Sequence, residues 1–177
     1  MSLYLVETVL SQTPIKNEAL FKEKLEALER ALAQKQTELV EAQVAKDWSR
    51  AFWIVESESR GPIEESFRSA GIPTTLIKQI RLVGQDLDAV KKQSRRVNYV
   101  VEWNLPENIT MEQYLERKRQ NSVHYAEVPE VTFARTYVCE DMTKCLCFYD
   151  APDEEAVKRA REAVKAPVDA VTEIIGE

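Results

Sequence analysis

The sequence predicts an α+β fold written twice in one chain, on three observations. First, "YLVE" at residues 4–7 returns as "YVVE" at residues 99–102, 95 positions later. Second, residues 56–73 align with residues 150–167 at an offset of 94. In both blocks an acid ends an apolar run, a proline-bearing turn and a helical pattern follow, and another proline stops the helix. Third, the strand and helix patterns around these blocks run in the same order in both copies. Such self-similarity sets two copies, residues 1–84 and 97–177, joined by a polar linker at 85–96.

Each element of the first copy has its own signal. "LYLVETVL" alternates and is rich in β-formers, so it reads as a strand. Beyond Asn17, a cap residue, Phe21, Leu25, Leu28 and Leu32 recur at helical spacing. "LVEAQVAKDWSRAFWIVES" is two strands around a polar turn at residues 46–50. A helix starts near Pro62, whose missing N–H is harmless in a first turn, with Ile63, Phe67 and Ala70 inward and Gly71 as the stop. "TLIKQIRLV" is the last strand.

The second copy follows suit. Thr110 and Gln113 form a capping box ahead of "MEQYLERKRQ". "VTFARTYVCEDMTKCLCFYDA" is a hairpin, expected to be a few residues longer at its turn than the first. Ala156, Val157, Ala160, Ala163 and Val164 mark the inner face of a helix, and "DAVTEII" closes the copy. The order β-α-β-β-α-β, twice, is that of tandem ferredoxin-like repeats. A sheet with both helices on one face leaves its other face bare, and about 80 residues cover only one side. The expected remedy is sheet-to-sheet packing of the two repeats, a pseudo-dimeric α+β barrel, with the chain a monomeric pseudo-dimer or a homodimer.

Composition narrows the function classes. The net charge is −6, with both signs interspersed, which argues against a sequence-independent hold on nucleic acid. "KKQSRR" at 91–96 reads as solvated linker. No run nears the about 18 apolar residues of a membrane span, and no signal-peptide pattern opens the chain. Three cysteines within nine residues, an odd number, point away from a disulfide scaffold and towards the cytoplasm. Phosphate loops, nucleophile elbows and HExxH are absent from the sequence.

"NYVVEWNLPENITMEQY" and "RTYVCEDMTKCLCFYDAPDEEAVKRAREAVKAPVDAVTEI" carry a resemblance. Together they resemble a bacterial family of domains of unknown function that includes a nickel-binding protein, over nearly all of residues 97–175. The resemblance implies single domains that pair as an α+β barrel. It also implies a metal or small-ligand site, usually with histidine, and nickel as the candidate divalent transition metal. The position where relatives often carry histidine is Ala160 here, and the chain's single histidine is His124.

Several residues are candidates for such a site. Cys145 and Cys147 stand two apart on a strand and share a face with Tyr149, either as a soft-metal or redox pair or as small apolar filler. Glu7 and Glu102 are the paired acids of the echo: they face one another or a cation inside a barrel, or else pair with Arg or Lys. His124, with Glu127 nearby, is a ligand candidate or a solvated side chain. Tyr4, Trp53, Tyr99, Trp103 and Tyr149 are candidates to line a pocket, or core. The expected function is a non-enzymatic small-ligand or metal-binding protein. The competing classes are a cofactor-independent enzyme of the same barrel type and a protein–protein interaction module.

Overall fold

The computed structural model describes residues 1–92 and 96–175. The fold is mixed α+β, and the chain divides into two compact units, Met1–Ile80 and Arg81–Glu177. Of the expected linker, residues 93–95 lie outside the described residues, and the short helix α3 (Leu87–Lys91) falls within the rest. Among the described residues no helix is long and apolar enough to cross a membrane.

The N-terminal unit runs β1 (Ser2–Val9), α1 (Glu18–Ala33), β2 (Glu38–Val44), β3 (Arg50–Ser57), α2 (Arg60–Ser69) and β4 (Leu76–Val83), whose last residues pass the unit boundary. Its strands lie in the order β2-β3-β1-β4, with β1 antiparallel to both neighbours. Asn17 starts α1 by accepting the Leu20 N–H at 2.9 Å, meeting a donor that the first turn leaves unpaired. Period-two alternation sends Val6, Trp53 and Val55 to the face that meets Leu28, Leu32, Ile63 and Phe67 of the helices. Gly71, at φ +73°, ends α2 in the left-handed conformation, with the Ile72 N–H returning to the Phe67 carbonyl at 2.9 Å.

The C-terminal unit continues with β5 (Tyr99–Asn104), α4 (Met111–Asn121), a 3-10 segment (Ser122–Glu127), β6 (Thr132–Cys139), β7 (Lys144–Asp150), α5 (Glu154–Ala163) and β8 (Ala170–Glu173). Its strand order is β6-β7-β5-β8, with β5 between two antiparallel partners. The capping box at Thr110 and Gln113 forms as expected, and Asp153 caps α5 through the Ala156 N–H at 2.8 Å. Tyr99, Val101, Trp103, Cys145, Cys147 and Tyr149 face Ala156, Val157 and Ala160 of α5.

Local geometry recurs between the units. Val6 opposes Trp53 in one, and Val101 opposes Cys147 in the other. The hairpin turns match too. Asp47 Oδ1 accepts the Ser49 N–H at 3.0 Å and Asp141 Oδ1 accepts the Thr143 N–H at 3.1 Å, with Trp48 and Met142 at φ 62° and 61°. The expected longer second turn is therefore corrected. Both ladders close on the same step, Val44 with Ala51 and Val138 with Cys145, because the Asp-anchored turn fixes the loop.

Candidate functional site

The C-terminal unit buries a full positive charge. On α5, position 161 follows Val157 by one helical turn, so its side chain enters the core alongside Val157 and Ala160. Arg161 is only 2% exposed. Its Nη1 donates to Cys147 Sγ at 3.3 Å and to the Tyr149 hydroxyl at 3.1 Å, and its Nη2 donates to the Pro167 carbonyl at 2.6 Å. None of these partners is a carboxylate, and Nε has no hydrogen-bond partner among the described residues. A buried charge demands a counter-charge nearby. Within this cluster the group able to supply one is a thiol.

Cys147 is arranged to do so. Its sulfur accepts from the Thr136 hydroxyl at 3.2 Å as well as from Arg161. The hydrogen bond from Cys145 is the largest of the effects that hold the Cys147 thiol well below its ordinary range, with Lys118, Arg161 and Thr136 adding to it against the cost of burial. Cys145, as the donor, is pushed the other way, well above its range, and burial adds to that shift. The two cysteines are thus driven in opposite directions, Cys147 towards the thiolate and Cys145 towards the neutral thiol. The Tyr125 hydroxyl meets that of Tyr149 at 2.5 Å. Burial first, and the Cys147 charge second, keep Tyr114, Tyr125 and Tyr149 protonated as donors.

A cleft reaches this cluster from the surface. Trp103, Tyr114, Arg117, Lys118, Tyr125, Cys147 and Arg161 are among the residues lining it. It holds about 350 Å³ of empty space counted to its open mouth, of which the centre of a water molecule can occupy about 30 Å³. Its cations are held in place: Arg117 lies 5.4 Å from the Trp103 ring centroid and donates to the Lys165 carbonyl at 2.6 Å, and Lys118 stands 4.4 Å over Phe133. Arg117 and Lys118 thus bring two positive charges to the cleft lining, and among the described residues no carboxylate lines it. Such a lining favours an anion over a cation.

The residues singled out from the sequence fall in several places. Cys145, Cys147, Tyr99, Trp103 and Tyr149 share the C-terminal core, and Cys147 and Trp103 line the cleft. Trp53 is buried in the N-terminal core with Tyr4 against it. Glu7 and Glu102 are not among the residues lining the cleft and form ion pairs with Arg50 at 2.7 Å and Lys144 at 3.1 Å. His124 sits on the 3-10 segment, its side chain 41% exposed, with Nδ1 2.5 Å from Glu127. Among the described residues no three His, Cys, Asp or Glu side chains come together to hold a metal ion. The cysteine pair is a poor nickel site as well, because a guanidinium 3.3 Å from Cys147 Sγ repels a dication. These residues do not fit the metal.

Arg161, Tyr114, Tyr125, Arg117 and Lys118 were not foreseen. A signal for Arg161 existed, since the repeat offset of 94 pairs it with Phe67, an inward residue of the first copy.

Comparison with solved structures defines the class first. Three cover nearly the whole chain: a candidate chlorite dismutase (TM-score 0.58, 10% identity, 99% of this chain and 95% of that one); a candidate monooxygenase from Lactobacillus acidophilus NCFM (0.51, 10%, 99% and 94%); and a candidate monooxygenase from Fusobacterium nucleatum (0.51, 12%, 98% and 91%). At these identities the likeness is one of fold alone, a mixed α+β fold. The family described as nickel responsive protein SCO4226-like then matches residues 99–174, the part of the chain that holds the cleft. No curated protein matches the chain in sequence.

Proposed function

We propose that the protein is a non-enzymatic small-ligand-binding protein, built as two ferredoxin-like repeats, whose ligand is a small anion held in the cleft of the second. The carrying observation is the buried Arg161, free of any carboxylate partner, at the base of a cleft rimmed by Arg117 and Lys118. The duplicated architecture is supported by the matching registers, the matching turns and the ion pairs of Glu7 and Glu102, all recurring 94 or 95 positions apart.

Nickel comes to the chain through the name of the matched family, and the donor set argues for a different ligand. Binding is tested by calorimetry with inorganic phosphate, malonate and benzoate, beside equilibrium dialysis against Ni(II). At least one anion is expected to bind to the wild type and to lose most of its affinity in Lys118→Ala and Arg117→Ala. Saturable Ni(II) binding with no anion binding would overturn the proposal.

A further inference from the structure

The anion reading uses the rim of the cleft and leaves unexplained why its floor is a sulfur. Cys147 lines the cleft yet is 1% exposed, so only the cleft's inner end meets the sulfur. Donors converge on it from Thr136 and Arg161, and Arg161 keeps an unpartnered Nε in the same buried cluster. Thr136 Oγ1 and Arg161 Nη1, at 3.2 and 3.3 Å from the sulfur, are within reach of an oxygen atom added to it. The hole is small, the nucleophile is activated, and polar hydrogens surround the point where product would form.

We propose that Cys147 is a site of oxidation by hydrogen peroxide, forming a sulfenic acid held by Arg161 and Thr136. The sulfur attacks one peroxide oxygen and forms the S–O bond while the O–O bond breaks. The second oxygen departs as hydroxide with the bonding pair, leaves through the cleft and is neutralised to water by a buffer acid in solution. Sulfur is oxidised by two electrons and the peroxide is reduced by two.

Cys145 is the nearest thiol, but it does not resolve the product. Cys145 and Cys147 are separated by two steps of β7, about 6.6 Å along an extended chain, whereas a disulfide needs Cβ atoms about 3.5–4.5 Å apart. Closing that gap would break the pairing of Cys145 with Trp103 and of Cys147 with Val101. The sulfenic acid therefore persists. The other thiol, Cys139, is buried at the end of β6 and is absent from the cleft lining.

The test treats the folded protein with one equivalent of hydrogen peroxide, quenches it, denatures it into excess dimedone and maps the adduct by peptide mass spectrometry. The adduct is expected on Cys147, to survive in Cys145→Ser and to be lost in Arg161→Gln. The mapping is done without any added anion, so failure of the anion reading and failure of this one are separable. Because wild-type mapping needs no variant, a misfolded Arg161→Gln leaves the test intact. An adduct confined to Cys139 or Cys145, a Cys145–Cys147 disulfide, or no adduct in the folded protein would overturn the proposal.

Discussion

Three equivalent positions separate the two halves of this chain. Counting from the helix caps Asn17 and Thr110, and by the offset of 94 elsewhere, Phe21, Trp53 and Phe67 correspond to Tyr114, Cys147 and Arg161. In the first half the trio is an aromatic stack. Phe21 lies on Trp53 at 5.4 Å, Phe67 meets Trp53 edge-on at 5.6 Å, and the indole N–H is satisfied by Thr8 at 3.0 Å. In the second half the same frame carries a phenol, a thiol and a guanidinium, each wanting a polar partner, and a cleft opens where the stack is missing. At positions 93 or 94 apart, one unit holds a closed apolar core and the other a charged, reachable one.

The largest test of this contrast lies in the closed half. Trp53→Ala is expected to cost about 3–5 kcal/mol, because the stack cannot collapse around the lost indole. Urea unfolding measures this, and the variant's folded fraction is expected to show Cys147 chemistry like that of the wild type.

Next comes the open half, where the expected effect depends on pH. Cys147→Ala strands Arg161 without its counter-charge and is expected to cost about 3 kcal/mol in alkaline buffer. The Cys147 thiol is held below its unfolded value, so the stability its charge contributes is complete above the unfolded pKa of about 8.5. That contribution fades as pH falls and is gone below the folded value. The gap in Tm between wild type and Cys147→Ala should therefore shrink steadily as the buffer is made acidic. A gap independent of pH would separate Cys147 from the charge balance of Arg161.

The smallest effects concern the helix ends. After α2 the left-handed position is Gly71, and after α5 the equivalent position is Lys165, at φ 56°. Gly71→Ala is expected to cost about 1–2 kcal/mol, and Lys165→Gly to gain up to about 1 kcal/mol. Thermal melts of the two variants, shifting in opposite directions, check this. The Arg117 contact to residue 165 is with its backbone carbonyl, so it survives the second change.

Much of the fold was legible because it follows from periodicity. Alternation along "KCLCFYD" placed Cys145, Cys147 and Tyr149 on one face, and the caps at Asn17 and Thr110 were visible from residue type and spacing. The site was less so. Arg161 occurs in "KRAREA", where charge reads as solvated helix, and single-sequence patterns cannot tell that this arginine faces inward. Only the pairing with Phe67 carries that information. Tyr125 was hidden for another reason: it lies on a 3-10 segment without the regular spacing that betrays an inner face. Glu7 and Glu102 drew attention as an echo, and each has a basic partner on the neighbouring strand, Arg50 and Lys144, again 94 positions apart.

The central claim is that Cys147 is an anion balancing a buried arginine. Its most direct test is a pH titration of thiolate absorbance in the folded protein, with Cys147→Ala and Arg161→Met beside it. The account predicts one thiolate titrating well below the ordinary range of about 8.5, missing from the first variant and shifted upward in the second. Three thiols all titrating at or above that range would contradict it.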